Sequence, residues 1–345
     1  MAARTTKVAG FLLLVWLLAT ITVGMQAWVG DKTIYAGTLE ARREALHFGI
    51  LANEAPGGKG WGAIGALSIQ KRIGVVYLAE AVRQASHLPV AKVYRLLDTV
   101  FLFAALLGLF FFLRRWVAPV HALVGVLYFS AVLPLTYFFQ LFHPWDRIQL
   151  AIWIGLLYLV AERRFGWLAV GLVLSMLVKF DTILLPGLYV LVHATSQRWR
   201  RTLVEALVLG MLAAGTYFAL GLLFPSPLDI RGFDPGAARD MLARNVRVML
   251  DMNARYPPFL VHALPALLSL FSLRSGDRFL RASVLFAFGL SVVYFSFSLY
   301  EEVRAHMVVL VLLLPPALIS LERLLREDGS GGRVAARRAV PRQPL

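Results

Sequence analysis

The sequence predicts an all-α membrane protein, a polytopic helical bundle with about ten transmembrane helices. Hydrophobic residues make up 59% of the chain and charged residues 16%, and the mean hydropathy is +0.70. Soluble domains contain roughly 45–50% apolar and about 25% charged residues. The apolar residues also form continuous runs, for example 11–23, 100–113 and 203–224. Because backbone amides in hydrocarbon must be hydrogen-bonded within the protein, and because these runs do not alternate with polar residues, helices are expected.

Ten apolar stretches are predicted to cross the membrane as one bundle over residues 1–325. The first continues to Trp28 without a clear small-residue cleavage site, which favours a retained helix over a signal peptide. The predicted spans are 9–29, 95–113, 117–139, 148–161, 165–179, 182–195, 203–224, 257–273, 282–299 and 306–321.

Basic residues mark every second connection of this bundle. They occur at 114–115, 163–164, 198–201 and 274–281, and again after 323. Since short basic loops stay on the cytoplasmic side, both termini are expected to be cytoplasmic in a multi-pass protein of the cell inner membrane. The tail 326–345 is predicted to be basic and disordered. This topology accounts for the net charge of +15, so the expected partner is the lipid bilayer and not a nucleic acid.

Two long outer-face segments, 30–94 and 225–256, are predicted to contain surface helices. The first has helical character over 39–51 and over 73–87. Amphipathic helices of this kind are expected to lie along the outer membrane surface. In the second segment, four charged residues share one helical face: Asp240, Arg244, Arg247 and Asp251.

Composition and motifs exclude several kinds of site. The chain has no cysteine, so disulfides, thiolate metal sites and cysteine nucleophiles are excluded. It has no Walker A, GxGxxG, HExxH or GxSxG motif, so ATP-driven transport, dinucleotide chemistry and familiar hydrolase chemistry lack support. The spacing of its residues requires no cofactor, although outer-face acids suit a divalent metal such as Mg²⁺ or Mn²⁺.

Charged groups beside predicted spans are expensive in a membrane and tend to mark function. The first group comprises His143, Trp145, Asp146 and Arg147, before the span at 148–161. Its carboxylate is a candidate general base or cation ligand, and the other three are candidate substrate ligands. The alternative is an Asp that caps the next helix and a Trp in the interfacial belt.

A second group lies between the spans at 165–179 and 182–195, where Lys179 and Asp181 stand two residues apart. Lys179 suits a phosphate as a point charge. The alternative is a lysine that extends to the interface and an aspartate that caps a helix. A third group, Glu301, Glu302 and Arg304, suits a pyrophosphate or a sugar, or else forms a polar turn with internal ion pairs.

The fourth group lies in the first outer segment. Asp31 and Glu40 are candidate bases, and Arg42 and Arg43 are candidate phosphate ligands, although a solvated helix face also explains them. Asp98, near the start of the second span, is expected to pair locally with Arg95. All four groups fall on the same predicted face, which favours one polar cavity for an anionic ligand.

This organisation resembles the GT-C superfamily of membrane glycosyltransferases. The resemblance covers most of the chain and is carried by the first span and its outer segment, and by the stretches 143–147, 163–186 and 301–304. In many members an acidic motif after the first span supplies the catalytic base; here Asp31 and Glu40 occupy that region without a recognisable motif. The chain is also similar to uncharacterised proteins encoded with bacterial polysaccharide genes.

The resemblance implies a glycosyltransferase that uses a polyprenyl-phosphate-linked sugar at the outer face. Asp146, Asp31 or Glu40 would deprotonate the acceptor, and Lys179 and Arg304, with Arg42 or Arg43, would hold the lipid phosphate. Two alternatives stay open. One is a transporter or flippase of lipid-linked glycans, and the other is a noncatalytic assembly factor with partners in envelope-polysaccharide synthesis.

Overall fold

The computed structural model describes residues 2–33, 39–52, 72–137, 145–224, 235–250, 258–297 and 306–329. In these ranges every regular element is a helix and no strand occurs, which confirms the predicted all-α class. The helices are α1 (Ala2–Thr33), α2 (Leu39–Leu51), α3 (Ile73–Ser86), α4 (Val90–Leu113), α5 (Pro119–Val132), α6 (Asp146–Ala161), α7 (Phe165–Met176), α8 (Leu185–His193), α9 (Trp199–Leu223), α10 (Pro235–Leu250), α11 (Pro258–Leu270), α12 (Arg278–Phe297) and α13 (Met307–Gly329). Short 3₁₀ turns cover Leu133–Tyr137, Phe180–Leu184 and Phe271–Arg274.

Six of the described helices are long and apolar enough to cross a membrane. Their candidate spans are Val8–Val29, Val90–Leu113, Pro119–Thr136, Trp199–Leu223, Arg278–Ser296 and Met307–Leu325. Three shorter apolar helical stretches accompany them, Phe165–Met176, Phe180–His193 and Val261–Arg274. Large apolar side chains such as Leu222, Leu207 and Val120 are exposed on the outside of the bundle, as expected for contact with lipid. These features indicate a membrane protein.

Helix α6 lies at the centre of the bundle. It packs against α4 on one side and α7 on the other, and Trp153, Leu157 and Val160 are fully buried along it. Helix α13 packs against α11 and α12, with Leu310 and Leu312 fully buried. Since α6 is surrounded by other helices, residues at its first turn are held by protein on several sides.

The two helices predicted in the first outer segment are present, as α2 and α3. Both pack on the N-terminal half of α4, where Leu46, Val76 and Tyr94 belong to a second hydrophobic cluster. His47 joins the three helices, because its Nδ1 lies 2.9 Å from the Tyr94 hydroxyl and its Nε2 lies 3.0 Å from Glu80 Oε2. Helices α2 and α3 are therefore fixed to the bundle by their own core and by a buried polar contact.

Polar side-chain bonds concentrate at two opposite ends of the bundle. We call one the carboxylate end, which holds Asp146, Lys179 and Asp181, and the other the arginine end, which holds Arg115 and Arg163. Helix α6 begins at the carboxylate end and finishes at the arginine end, so the two are about 24 Å apart at 1.5 Å per residue. Among the described residues, Asp146, Lys179 and Asp181 are thus separated along the bundle axis from Arg115 and Arg163.

A close helix crossing at Gly125 gives a test of the packing. A Cβ at this position of α5 would lie 2.7 Å from Leu113 Cδ1 and 2.9 Å from Leu318 Cδ1. We expect Gly125→Val to destabilise the bundle by about 1–3 kcal/mol, because overpacking displaces two buried leucines. Thermal unfolding in detergent measures the effect, with Gly210→Val as the control because open space surrounds Gly210. Equal midpoints for the two variants would contradict the crossing.

Candidate functional site

The candidate site is a narrow cleft at the carboxylate end of the bundle. It lies between the first turn of α6, the turn that joins α7 to α8, and the start of α13, and its cavity volume is about 20 Å³. That volume holds roughly one water molecule. The lining residues are Asp146, Arg147, Gln149, Leu150, Lys179, Asp181, Met307 and Val308.

Asp181 is the most heavily bonded residue of the cleft. Its Oδ1 accepts hydrogen bonds from Gln149 Nε2 at 2.6 Å and from Trp153 Nε1 at 3.1 Å. Its Oδ2 accepts one from the Tyr294 hydroxyl at 3.2 Å and lies 3.3 Å from Lys179 Nζ. The Asp181 side chain is 9% exposed, and a largely buried carboxylate with four donors is well compensated. Asp181 therefore serves to position Lys179 and to join α6 to α12.

Lys179 occupies the turn between α7 and α8, where its side chain is partly buried against the cleft. An ammonium group has three N–H donors. Asp181 is the carboxylate partner of Lys179 among the described residues, and this single contact uses one of the three donors. The same turn is tied to α3, because the Gly74 amide donates to the Leu177 carbonyl at 2.9 Å.

Asp146 is the first residue of α6 and lies outside the six candidate spans. Burial raises the pKa of its carboxyl, and the nearby cations Lys179, Arg147 and Arg72 oppose that rise. A carboxyl whose pKa is raised toward neutrality suits proton transfer in either direction. The predicted pairing of a base with a phosphate-binding lysine is therefore possible here, because Asp146 and Lys179 line the same cleft.

Arg147 and Trp145 flank Asp146 but are turned into the protein. The Arg147 guanidinium is buried and donates to the Gln26 side chain of α1. Trp145 is fully buried in the second hydrophobic cluster, and the Arg72 guanidinium lies 4.7 Å from the centroid of its ring. Trp145 is thus a packing residue, neither a member of an exposed interfacial belt nor a surface on which a substrate ring could stack.

The structure brings neither Glu40 nor Arg43 to the cleft. Arg43 Nη2 donates to Asp98 Oδ2 at 2.6 Å in a buried ion pair, whereas Glu40 pairs with Arg95 at 2.9 Å on the exposed surface. The expected local pair between Arg95 and Asp98 is therefore wrong. Asp98 faces the protein interior and Arg95 faces outward on α4, so each finds its partner on α2 instead.

Six other predicted site residues are not placed by the structure. His143, Glu301, Glu302 and Arg304 lie outside the described residues, and for Asp31 and Arg42 the described part is the helix backbone alone. Their roles stay predictions.

Gln149 and Tyr294 are site residues that sequence reasoning missed. Gln149 had a detectable signal, because an amide within an apolar helix needs a partner and stands one turn after Asp146. Tyr294 had none, since tyrosine is common in membrane helices and its partner Asp181 is 113 residues away in the sequence.

A larger apolar groove adjoins the cleft. It lies between α11, α12 and α13 and has a volume of about 230 Å³. The Tyr294 side chain separates the two sites, because its hydroxyl reaches Asp181 while its ring centroid lies 5.4 Å from that of His306, which lines the groove. The lining residues of the groove are His262, Ala263, Ala266, Ala287, Phe288, Ser291, Phe295, His306, Val309 and Leu313.

Comparisons of the chain with protein-family models, with curated proteins and with solved structures give no match. Within the described ranges, no group of three His, Asp or Glu side chains is placed to hold a metal ion. The cleft, the groove and their charges are therefore the features that bear on function.

The role of Asp181 can be tested by its removal. We expect Asp181→Ala to cost about 3–5 kcal/mol of stability, because a cation and three neutral donors would lose a buried acceptor. Glu40→Ala is the control, since its exposed ion pair is worth roughly 0–1 kcal/mol. Thermal unfolding of the two purified variants compares them. Equal, small shifts would show that Asp181 does not hold this end of the bundle together.

Proposed function

We propose that the protein is a glycosyltransferase of the GT-C type that takes a sugar from a polyprenyl-phosphate donor at the outer face of the cell inner membrane. The observation that carries the proposal is the common cleft of Asp146 and Lys179 at one end of an apolar bundle. The acid, the cation and the adjoining apolar groove each match one chemical part of the acceptor or the donor. These parts are a hydroxyl to deprotonate, a phosphate to hold and a lipid chain to bury.

The proposed membrane arrangement contains more helices than the six candidate spans. All ten predicted stretches would lie within the bilayer, with the shorter helices α6, α7, α8 and α11 packed against the longer ones. The carboxylate end would face outward and the arginine end inward, with both termini cytoplasmic. The basic connections at the arginine end support this orientation, because short positively charged loops remain on the cytoplasmic side.

The reaction would be a displacement at the anomeric carbon of the sugar. The acceptor oxygen forms a bond to that carbon while the bond from carbon to phosphate oxygen breaks, and polyprenyl phosphate leaves with the bonding electron pair. Asp146 accepts the acceptor's hydroxyl proton. Lys179 donates to the phosphate oxygens, on which negative charge develops. Asp181 fixes Lys179 in position and takes no part in the bond changes.

The groove supplies a place for the lipid chain. Its lining is mostly alanine, phenylalanine, valine and leucine, and it meets the cleft at Tyr294 and His306. A chain in the groove would place its phosphate beside the first turn of α13, where Met307 and Val308 line the cleft.

One observation favours a second candidate, a noncatalytic assembly factor. The described cleft holds roughly one water molecule, which is too little room for a sugar. A transferase would need the cleft to widen around the donor, whereas an assembly factor would not. Turnover by the purified protein separates these candidates.

The transferase proposal is tested by donor consumption with a panel of polyprenyl-phosphate sugars and purified protein. We expect Asp146→Asn and Lys179→Ala each to lower the rate by about 10²-fold or more, because one removes the base and the other the phosphate ligand. The matched controls Glu40→Gln and Lys92→Ala lie away from the cleft and should retain wild-type rates. Binding without turnover by the wild type would favour the assembly factor or a transporter, and wild-type rates in both cleft variants would refute the site.

The charge of Arg72 provides a test of the base. Asp146 must be ionised to accept a proton, so the rate should fall as the pH falls through its pKa, which burial raises. Arg72 opposes that rise, so Arg72→Gln should raise the pKa of Asp146 further and move the acid limb of the rate profile to higher pH. Arg83→Gln is the control. Coincident acid limbs for the wild type and Arg72→Gln would exclude Asp146 as the group that titrates.

A further inference from the structure

The arginine end carries more positive charge than its own acids balance. Four carboxylates lie among its described side chains, and each is engaged. Glu162 pairs with Arg115, and Glu322 lies 3.8 Å from His121 Nδ1. Each of these two acids is therefore opposite a basic group of a neighbouring helix or connection.

The other two carboxylates are more fully bonded. Glu205 accepts from the Tyr189 hydroxyl at 2.6 Å, from Arg201 at 2.8 Å and from Arg163 at 3.3 Å. Asp277 accepts from the Trp116 indole at 3.2 Å and caps α12 by accepting backbone amides at its first turn. None of the four acids is left to neutralise further arginines.

Apart from Arg278, seven exposed arginines at this end have no carboxylate partner among the described residues. They come from separate connections that the protein holds together. The Arg278 guanidinium donates to the Ala194 carbonyl at 2.6 Å, and Arg163 and Glu205 join the turn after α6 to α9. The seven are Arg114, Arg164, Arg198, Arg200, Arg274, Arg281 and Arg323.

Exposed tryptophans and aliphatic side chains stand next to these arginines. Trp167, three residues after Arg164, is 70% exposed, and Trp199, between Arg198 and Arg200, is 48% exposed. The Arg200 guanidinium lies 5.4 Å from the centroid of the Trp199 ring. Further along the same helices, Val170 and Leu203 are also exposed. Tryptophan prefers the boundary between headgroups and hydrocarbon, so we expect the arginines to lie at the level of the headgroups.

We propose that the arginine end is a binding surface for anionic phospholipids. The phosphodiester and any second acidic group of the headgroup would accept hydrogen bonds from these seven guanidinium groups, which suit phosphate oxygens in a bidentate geometry. The acyl chains would lie along the exposed apolar faces of α7 and α9. A soluble polyanion would satisfy the arginines but not the adjacent tryptophans and aliphatic side chains, which favours a lipid.

The test compares phosphatidylglycerol with phosphatidylcholine, two lipids that differ in headgroup charge. Purified protein in detergent is incubated with each lipid, and the lipid retained is measured by native mass spectrometry beside the thermal midpoint. We expect severalfold more phosphatidylglycerol to be retained, with a midpoint several degrees higher. Equal retention of the two lipids by the wild type would overturn the proposal, and this comparison requires no variant to fold.

The location is tested with two variants of equal charge change. In the first, Arg164→Gln, Arg198→Gln and Arg274→Gln are combined, and we expect at least half of the retained phosphatidylglycerol to be lost. In the control, Lys92→Gln, Arg239→Gln and Arg247→Gln remove three exposed charges from other parts of the protein, and retention should match the wild type. Equal loss in both would show nonspecific attraction to net charge and would overturn the assigned surface.

Inorganic phosphate is the third arm of the experiment. If phosphate in the buffer neither displaced the lipid nor raised the thermal midpoint, the intact lipid would be the ligand. An equal rise with phosphate alone would overturn the lipid assignment in favour of a site for the free anion. None of these measurements depends on sugar transfer, so the outcome is independent of the transferase proposal.

Discussion

The carboxylate end depends on the charge of Asp181, which is largely buried. A carboxylate taken out of water is costly unless donors surround it, and here the donors come from three different places in the chain. Gln149 and Trp153 belong to α6, Tyr294 to α12, and Lys179 to the turn before Asp181 itself. The cost of burying one charge is therefore offset only when these elements meet. The position of Lys179, and so the proposed phosphate contact, follows from that requirement.

A second buried network performs the same task on the other side of α6. Arg43 of α2 and Asp98 of α4 form an ion pair, and Arg147 of α6 donates to Gln26 of α1. Each contact joins elements far apart in the sequence. Since Arg147 directly follows Asp146, this network fixes the start of α6 while the Asp181 network fixes the turn that faces it.

Local patterns in the sequence predict where helices form more completely than they predict how long each helix is or which residues it contacts. The helix predicted over 39–51 is found as Leu39–Leu51, and that over 73–87 as Ile73–Ser86. The last helix continues to Gly329, beyond the predicted end of the bundle at 325, because 321–328 contains only good helix formers and acids that a helix accommodates. Helices α7 and α8 have 12 and 9 residues, too few to cross hydrocarbon of about 30 Å by their own length.

For the candidate site, the sequence predicts which charged residues matter but not which partners they have. Asp146 and Lys179 could be proposed together, because each is a charge beside an apolar run and both fall on one predicted face. The partners of such charges depend on side-chain direction, which spacing does not supply. Asp98 was therefore expected to pair with Arg95, three residues before it, whereas the Arg43 partner is 55 residues away. Trp145 likewise gave no sign that its ring would be buried.

The hydrogen bond from Gly74 to Leu177 connects α3 directly to the turn that carries Lys179. A side chain at position 74 would crowd the Leu177 carbonyl, so the close approach requires glycine. Since Leu177 and Lys179 belong to one turn, a movement of α3 would be transmitted to the backbone that carries Lys179. A molecule that displaced α3 would change the distance between Lys179 and Asp146 without contacting either residue.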